Sequence, residues 1–397
     1  MACSDIVDAI VVGKADLICC GGASDAMLLN VNHSVLNAVD PARDSCVGEC
    51  MGLAESHALE GHDGLTAASF TPCGDWLVTA RLDGRMSLWH ALSLRLSRSV
   101  SFGSGRQADG EALQGSLHEG RPVVPGQSES SLEGLIEGFD CGQRVVSLAL
   151  MYGDKETEEL YAFVALADSI TASLWHLGLE EMVMELRPAE GVTEAVGAAR
   201  VLPKAGQNPT GLFCLFVGSV QGVLAADVKE LVGWSPAEGS PPVVAKQELL
   251  EVVGGVYSIA VEEREGGEVL MAAGGPGGKM LLWRRSAEVV EPSTWELLHS
   301  FSPGWCINHI MLGCSARRLA CGGCDGVTGL VEVWNTETGE REVAYSPRLQ
   351  RVCSLQTSTV NAVAFLPGDQ FIVSGGYDSA LSVWLLPALQ KMPALAL

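Results

Sequence analysis

The residues best suited to chemistry are cysteines, glycines and one histidine–aspartate pair. Cys321 and Cys324 frame a C-x-x-C, a spacing that serves half a zinc site or a redox pair. No second C-x-x-C or Cys/His pair lies at a zinc-like distance from it. Cys46 and Cys50, with His33 nearby, form another thiol-bearing stretch. A structural metal site needs four ligands, so no metal is expected. The segment GGPGGK, residues 274–279, has the composition of a phosphate loop. Such a loop needs a helix starting at its Lys-Ser/Thr, where amides and dipole meet the phosphate. Lys279 leads instead into MLLW, which predicts a hairpin. His62 and Asp83 would be a catalytic pair only beside a nucleophile and an open cleft, and neither is suggested. No catalytic or cofactor-binding residue is predicted.

Composition narrows the classes further. With 397 residues, the chain is either two domains or one large repeat array. Its 46 glycines lie outside low-complexity runs, which implies many tight turns and an all-β fold. Asp and Glu number 48 against 25 Lys and Arg, a net charge of -23. That excess opposes wrapping a nucleic-acid backbone or docking on anionic lipid. It suits a basic protein partner, or simply solubility. Asp5 and Asp8 stand where a signal peptide would carry a basic flank and an unbroken apolar stretch. No apolar run approaches the roughly 20 residues that span a bilayer. The expectation is an intracellular protein of the cytoplasm, the nucleus or both. Thirteen irregularly spaced cysteines read as small buried hydrophobes and not as a disulfide framework.

The elements that would position these residues recur. Residues 358–386 read as a strand, Val360 to Phe365, a turn at Pro367-Gly368, and a second strand from Gln370 to Ser374. A tight turn through Gly375, Gly376 and Asp378 follows, then a third strand carrying Trp384. Period-two alternation marks each segment as a half-buried strand. Residues 61–90 repeat the unit position by position, with Pro72 in the first turn, Asp83-Gly84 in the second and Trp89 ending the third strand. Asp83 precedes Trp89 by six residues, as Asp378 precedes Trp384. Weaker copies carry Asp168 with Trp175, Trp283 without the aspartate, and Asp325 with Trp334. A unit at 191–228 keeps only the strand rhythm, and the opening segment repeats the GG-x-x-D turn at Gly21, Gly22 and Asp25. The units occupy approximately 5–40, 57–98, 142–180, 190–228, 247–285, 297–345 and 356–388. Repeats of roughly 40 residues with three or four strands predict blades of a β-propeller around a central channel.

Gly61-His62, the turn Asp and the terminal Trp together resemble the WD-repeat family, similar to the β subunits of heterotrimeric G proteins. The closing VNAVAFLPGDQFIVSGG is similar to the final repeat of G-protein β-subunit-like proteins, including subunits of chaperone-type assemblies for large kinases; no subfamily is assigned. The resemblance implies a single all-β, seven-bladed propeller with degenerate blades over residues 1–397. It also implies a buried hydrogen-bond chain in each complete blade. Only His62, Thr79, Asp83 and Trp89 supply every member; the last unit keeps Ser374, Asp378 and Trp384 but has Thr357-Ser358 in place of Gly-His. Cys321-Gly-Gly-Cys324 aligns with Ser374-Gly-Gly-Tyr377, so the repeat accounts for its glycines. The paired-arginine motif of phosphoinositide-binding propellers is not matched by Arg284-Arg285-Ser286 or Arg317-Arg318-Leu319. Nor do WHAL, WHLG and WNTE match the Trp-Asp-x-Arg of propellers that serve cullin ligases.

Residues 99–141, rich in Ser, Gly and Glu, read as a flexible acidic insertion without enough apolar surface to order itself. Shorter loops are read at 40–56, 229–246 and 286–296. Function should sit on loops held by the rigid scaffold. In the family, partners meet the channel mouth at the starts of the first strands and at the tight turns. By alignment these positions are Thr66, Val146, Tyr257, Cys306 and Asn361, with Arg81 and Tyr377 at turns; Trp305, one residue out of register, reads as core. Tyr257 and Tyr377 are the natural anchors, because aromatics dominate interfaces. The expected role is a non-catalytic protein–protein interaction scaffold, a subunit of an intracellular multiprotein complex. It should need no cofactor, small-molecule substrate, nucleic acid or membrane. The alternative is an acidic escort for a basic client, such as a ribosomal protein or histone. The segment after Leu386 is one candidate for closing the ring; otherwise the closing blade is incomplete.

Overall fold

The structure is a computed structural model that describes residues 9–13, 17–22, 26–31, 46–47, 53–59, 64–71, 74–81, 83–91, 95–101, 145–152, 160–166, 172–177, 181–186, 198–203, 212–218, 221–229, 243–264, 267–286, 295–326, 328–345, 359–377 and 381–386. Every regular element among them is a β-strand, and the strands form seven four-stranded antiparallel sheets.

The first sheet runs β1 (Ala9–Val12), β2 (Leu17–Gly21), β3 (Ala26–Val31) and β5 (Leu53–Ala58). The second holds β6 (Ala67–Phe70), β7 (Trp76–Ala80), β8 (Arg85–His90) and β9 (Arg95–Ser101). In the third are β10 (Val145–Tyr152), β11 (Leu160–Leu166), β12 (Ala172–His176) and β13 (Glu181–Leu186). The fourth has β14 (Ala198–Pro203), β15 (Leu212–Gly218), β16 (Gly222–Lys229) and β17 (Val243–Glu251). The fifth contains β18 (Ser258–Glu263), β19 (Val269–Gly274), β20 (Met280–Arg285) and β21 (Glu296–Phe301). The sixth consists of β22 (Cys306–Leu312), β23 (Arg318–Cys324), β24 (Gly329–Asn335) and β25 (Arg341–Tyr345). The seventh combines β26 (Val360–Phe365), β27 (Phe371–Gly376) and β28 (Leu381–Leu385) with β4 (Cys46–Val47).

The first strand of each sheet packs on that of the next, from β1 through β6, β10, β14, β18, β22 and β26, and β26 packs back on β1. This is the order of a seven-bladed propeller, in which each edge is short and covered. Apolar side chains fill the gaps between blades. Cys19, Leu28, Leu65, Leu77 and Trp89 join the first and second sheets. Ile10, Ile18, Cys20, Phe371, Val373 and Val383 join the first and seventh. Each fully buried Leu, Ile or Val contributes roughly 1.5–3 kcal/mol.

Two sequence expectations change here. Some strands are buried on both faces and not half-buried: all five residues of β2 and all six of β27 are buried. Each sheet lies between two others, so alternation assigns a residue to one neighbour or the other, not to core or water. Phe371 and Val373 face the first sheet, whereas Ile372 packs toward the sixth. The loops read at 40–56, 229–246 and 286–296 also contain strand: β4 and β5, the start of β17, and the first residue of β21. Outermost strands have little to pack against, so VVAKQELLE in β17 carries no alternation to detect. In the insertion, residues 99–101 end β9, and 102–141 lie outside the described residues.

Ring closure takes a third route. The fourth strand of the seventh sheet is β4, pairing Val47 with Val383 and Cys46 with Trp384. It comes from the connection between β3 and β5 of the first sheet, so one segment links the first blade to the last. Residues 387–397 lie outside the described residues.

Candidate protein-binding face

One rim gathers the starts of the innermost strands and the turns that follow the second strands. Tyr257 N donates to Gly274 O at 2.9 Å, Tyr377 N to Thr359 O at 3.1 Å, and Thr66 N to Ala80 O at 2.9 Å. Neighbouring blades are stitched in the same orientation. Ile307 N reaches Gly275 O at 3.2 Å, and Asn308 Nδ2 donates to Val360 O at 3.0 Å and to Asn361 Oδ1 at 3.4 Å. The fifth, sixth and seventh blades therefore present Tyr257, Cys306, Asn361 and Tyr377 on one continuous edge. The connection before β18 crosses the GGPGGK turn so closely that a Cβ on Gly277 would lie 2.4 Å from Val253 O. Glycine is required there by backbone contact, and the segment is a β19–β20 hairpin.

The candidate positions differ in availability. Tyr257 is 52% and Tyr377 53% exposed, and Val253, which the alignment did not single out, is 76% exposed. The signal for Val253 was local: it precedes Gly254 and Gly255, with φ of 92° and 86°, in a turn that holds the residue outward. Cys306 and Asn361 are partly exposed. Thr66 is buried, and its hydroxyl donates to Ala80 O at 3.3 Å. Its backbone stands at the rim, but its side chain is tied inward and offers a partner little surface. Arg81 sits 3.5 Å from Asp83. Val146 lies within β10. Trp305 is buried in the core between the fifth and sixth sheets.

The tryptophan motif is built unevenly. Trp89 donates its indole N–H to Thr79 Oγ1 at 2.8 Å, and Trp384 donates to Ser374 Oγ at 2.8 Å. Both hydroxyls are fully buried. Asp83 is 38% exposed; its Oδ1 accepts from Arg85 N at 3.0 Å, and its Oδ2 pairs with Arg81 and Arg85 at 3.5 and 3.6 Å. His62, Asp168 and Asp378 lie outside the described residues. Trp175 donates to Ser173 Oγ at 2.8 Å, on its own strand. Trp283 is buried between the fourth and fifth sheets. Asp325 is exposed and caps its turn, accepting from Thr328 N at 2.7 Å.

The sixth sheet replaces the motif hydroxyl with a thiol. Cys321 faces Glu332 across the β23–β24 pair, as Thr79 faces Ser87 and Ser374 faces Ser382. The buried Trp334 indole N–H lies beside Cys321 and Glu332 but makes no well-formed hydrogen bond with either. Burial pushes the Cys321 thiol well above its ordinary range. Burial also raises the Glu332 carboxyl, against the opposing pull of Arg341, whose Nη1 lies 2.7 Å from Glu332 Oε1.

The C-x-x-C does not form a pair. Three residues apart on one strand, its members face opposite sides; Cys321 is fully buried and Cys324 partly exposed. Among the described residues no group of three His, Cys, Asp or Glu side chains could hold a metal. His33 and Cys50 are not among them, and Cys46 is described only as part of β4.

Arg318, Arg264 and Asp369 act between blades. Arg318, only 2% exposed, holds Glu342 Oε2 at 2.8 Å and donates to Asp369 O of the seventh blade at 2.8 Å. Arg285 lies over the Trp295 ring at 5.0 Å. The Asp369 carboxylate accepts from Cys314 N at 2.8 Å, Ser315 N at 3.0 Å and Ser315 Oγ at 2.7 Å. Arg264 of the fifth blade reaches Ala316 O at 3.1 Å and Thr336 Oγ1 at 2.8 Å. Near this junction, burial and then the Asp369 charge push the Glu262 carboxyl up to about 7.

The model of the WD domain, G-beta repeat family matches residues 54–90 and 348–384. Those stretches contain Thr79 with Trp89 and Ser374 with Trp384, the two hydroxyl–indole bonds that join adjacent strands among the described residues. The chain carries WD repeats at these two places, within an all-β propeller architecture. No curated protein matches it.

Proposed function

We propose that this protein is a non-catalytic interaction scaffold, a subunit of an intracellular multiprotein complex in the cytoplasm or nucleus. WD repeats generally mediate protein–protein interaction. The observation that supports the reading here is the shared rim of the fifth to seventh blades. It holds Val253, Tyr257 and Tyr377 in water at 76%, 52% and 53% exposure. Aromatic side chains of this kind carry much of the energy of interfaces and lose little entropy when they are covered.

The test is affinity capture of the tagged protein from its own cells, beside a Tyr257→Ala/Asn361→Ala/Tyr377→Ala variant. The expected result is a stoichiometric partner set that survives high salt and is lost in the variant at unchanged melting temperature. Capture unaffected by the triple substitution removes this face. The net charge of -23 favours one second reading, the escort of a basic client. Its signature is a single cationic partner released as salt is raised.

A further inference from the structure

We propose that Cys306 and Cys324 form a reversible oxidation site, closing a cross-strand disulfide by exchange with a low-molecular-weight disulfide such as oxidised glutathione. The two residues are direct partners in the β22–β23 ladder. Opposed residues in an antiparallel pair have Cα atoms about 4.5–5.5 Å apart, within the roughly 4.4–6.8 Å that a disulfide spans. Their side chains leave the same face of the sheet. Both are free thiols and both are partly exposed. Gly326 N donates to Cys324 Sγ at 3.1 Å and holds that sulfur at the mouth of the turn. Gly322 and Gly323 precede Cys324, and Gly326, with φ of 94°, has open space around it, so the strand end can adjust to the bridge.

The environment sets the order of events. Burial, then the neighbouring Cys324, holds Cys306 as a thiol above its ordinary range. Cys324, at the strand end beside the exposed turn residues Asp325 and Gly326, meets the oxidant first. Its thiolate attacks one sulfur of oxidised glutathione, forming a protein–glutathione disulfide and releasing one glutathione thiolate. Cys306 then gives its proton to solvent, attacks Cys324 Sγ and expels the second glutathione. Two protein thiols are oxidised and one glutathione disulfide is reduced to two thiols. Thiolate attack through a mixed disulfide is the general route of such exchange.

The other described cysteines behave differently under the same treatment. Cys19, Cys20 and Cys321 are fully buried, and Cys19 is pushed up to about 12 by burial alone. Cys314 is exposed, but burial of its sulfur and the charges of Asp369 and Glu262 keep it protonated. It has no cysteine opposite it in the ladder. The site stands whether or not the rim binds a partner.

The experiment incubates the folded full chain with oxidised glutathione, blocks remaining thiols with N-ethylmaleimide and maps peptides by mass spectrometry. Chymotrypsin serves as a second protease to separate Cys306 from Cys314. The expected result is a Cys306–Cys324 bridge lacking two hydrogens and restored to thiols by dithiothreitol. In Cys306→Ser, glutathione should remain on Cys324 as a trapped mixed disulfide. Separate alkylation or glutathionylation of Cys306 and Cys324 in the wild-type protein overturns the proposal, as does a bridge from either to another cysteine. The wild-type map decides the matter even if the serine variant fails to fold.

Discussion

In the second and seventh blades, a tryptophan on the third strand donates to a buried hydroxyl on the second, Trp89 to Thr79 and Trp384 to Ser374. In the sixth blade the same position is Cys321, and the Trp334 indole makes no well-formed hydrogen bond. That blade is nevertheless tied to its neighbours by Arg318, Asp369 and Arg264, each reaching across a blade boundary. A blade can thus be fixed from within, by one hydrogen bond between its own strands, or laterally, by charged groups at the turns. The lateral design removes charges from water and depends on every partner staying in place.

The comparison breaks most decisively at Arg318. Arg318→Met keeps much of the apolar stem but leaves Glu342 without its guanidinium and Asp369 O without its donor. Loss of one partner of a buried pair costs about 3–5 kcal/mol, so chemical denaturation should show a loss of that order. A change under about 1 kcal/mol would mean that the lateral ties are incidental. Asp369→Ala removes the acceptor of three hydrogen bonds from the 314–315 turn and places alanine at φ 55°. Bonds to charged groups contribute about 1.5–3 kcal/mol each before relaxation, so a loss of roughly 2–4 kcal/mol is expected. Asp369→Asn, which tolerates that backbone conformation, should retain part of it.

The two designs also differ in how far the sequence discloses them. The hydroxyl–indole bond repeats at fixed spacing, because both partners sit on adjacent strands of one hairpin; Thr79 and Trp89 are ten residues apart. The lateral ties join residues 51 to 72 positions apart, from turns whose composition is ordinary for turns. Arg317-Arg318 does not match the headgroup motif, and nothing local said that Arg318 would be buried while Arg317 stays exposed. β4 escaped for a related reason: a two-residue strand has no periodicity, and its partner β28 is over 300 positions away in sequence. Alignment names Tyr257 and Tyr377, and both side chains are exposed. At Thr66 repeat register fixes a backbone position, while the hydroxyl's inward hydrogen bond fixes where the side chain goes.

The lateral region should also respond to pH. Glu262 is held protonated up to about 7, first by burial and then by Asp369. Its folded pKa lies above its unfolded value, so its contribution is fully present below about 4.5 and is lost as pH rises through about 7. Glu262→Gln removes that dependence. It should leave stability unchanged near pH 4 and raise it by about 1–3 kcal/mol near pH 8. Melting curves of both proteins across that range would decide. Parallel curves would show that Glu262 ionises freely beside Asp369.

The hydroxyl–indole design is sharpened by removing it where it exists and adding it where it is missing. Thr79→Val preserves shape while deleting the acceptor for Trp89, and an unmet buried donor costs about 1–3 kcal/mol. The reciprocal change, Cys321→Ser, places an oxygen beside Trp334. Its expected gain is smaller, about 0.5–1.5 kcal/mol for one neutral hydrogen bond, and the smaller side chain offsets part of it. The indole absorbance and fluorescence of Trp334 should shift as its N–H acquires an acceptor. A stabilised variant with that shift would show that the sixth blade retains the strand geometry of its motif-bearing relatives and lacks only the acceptor. A destabilised variant would show instead that the Glu332–Arg341 pair and the thiol have become a packing unit of their own, in which serine leaves a gap.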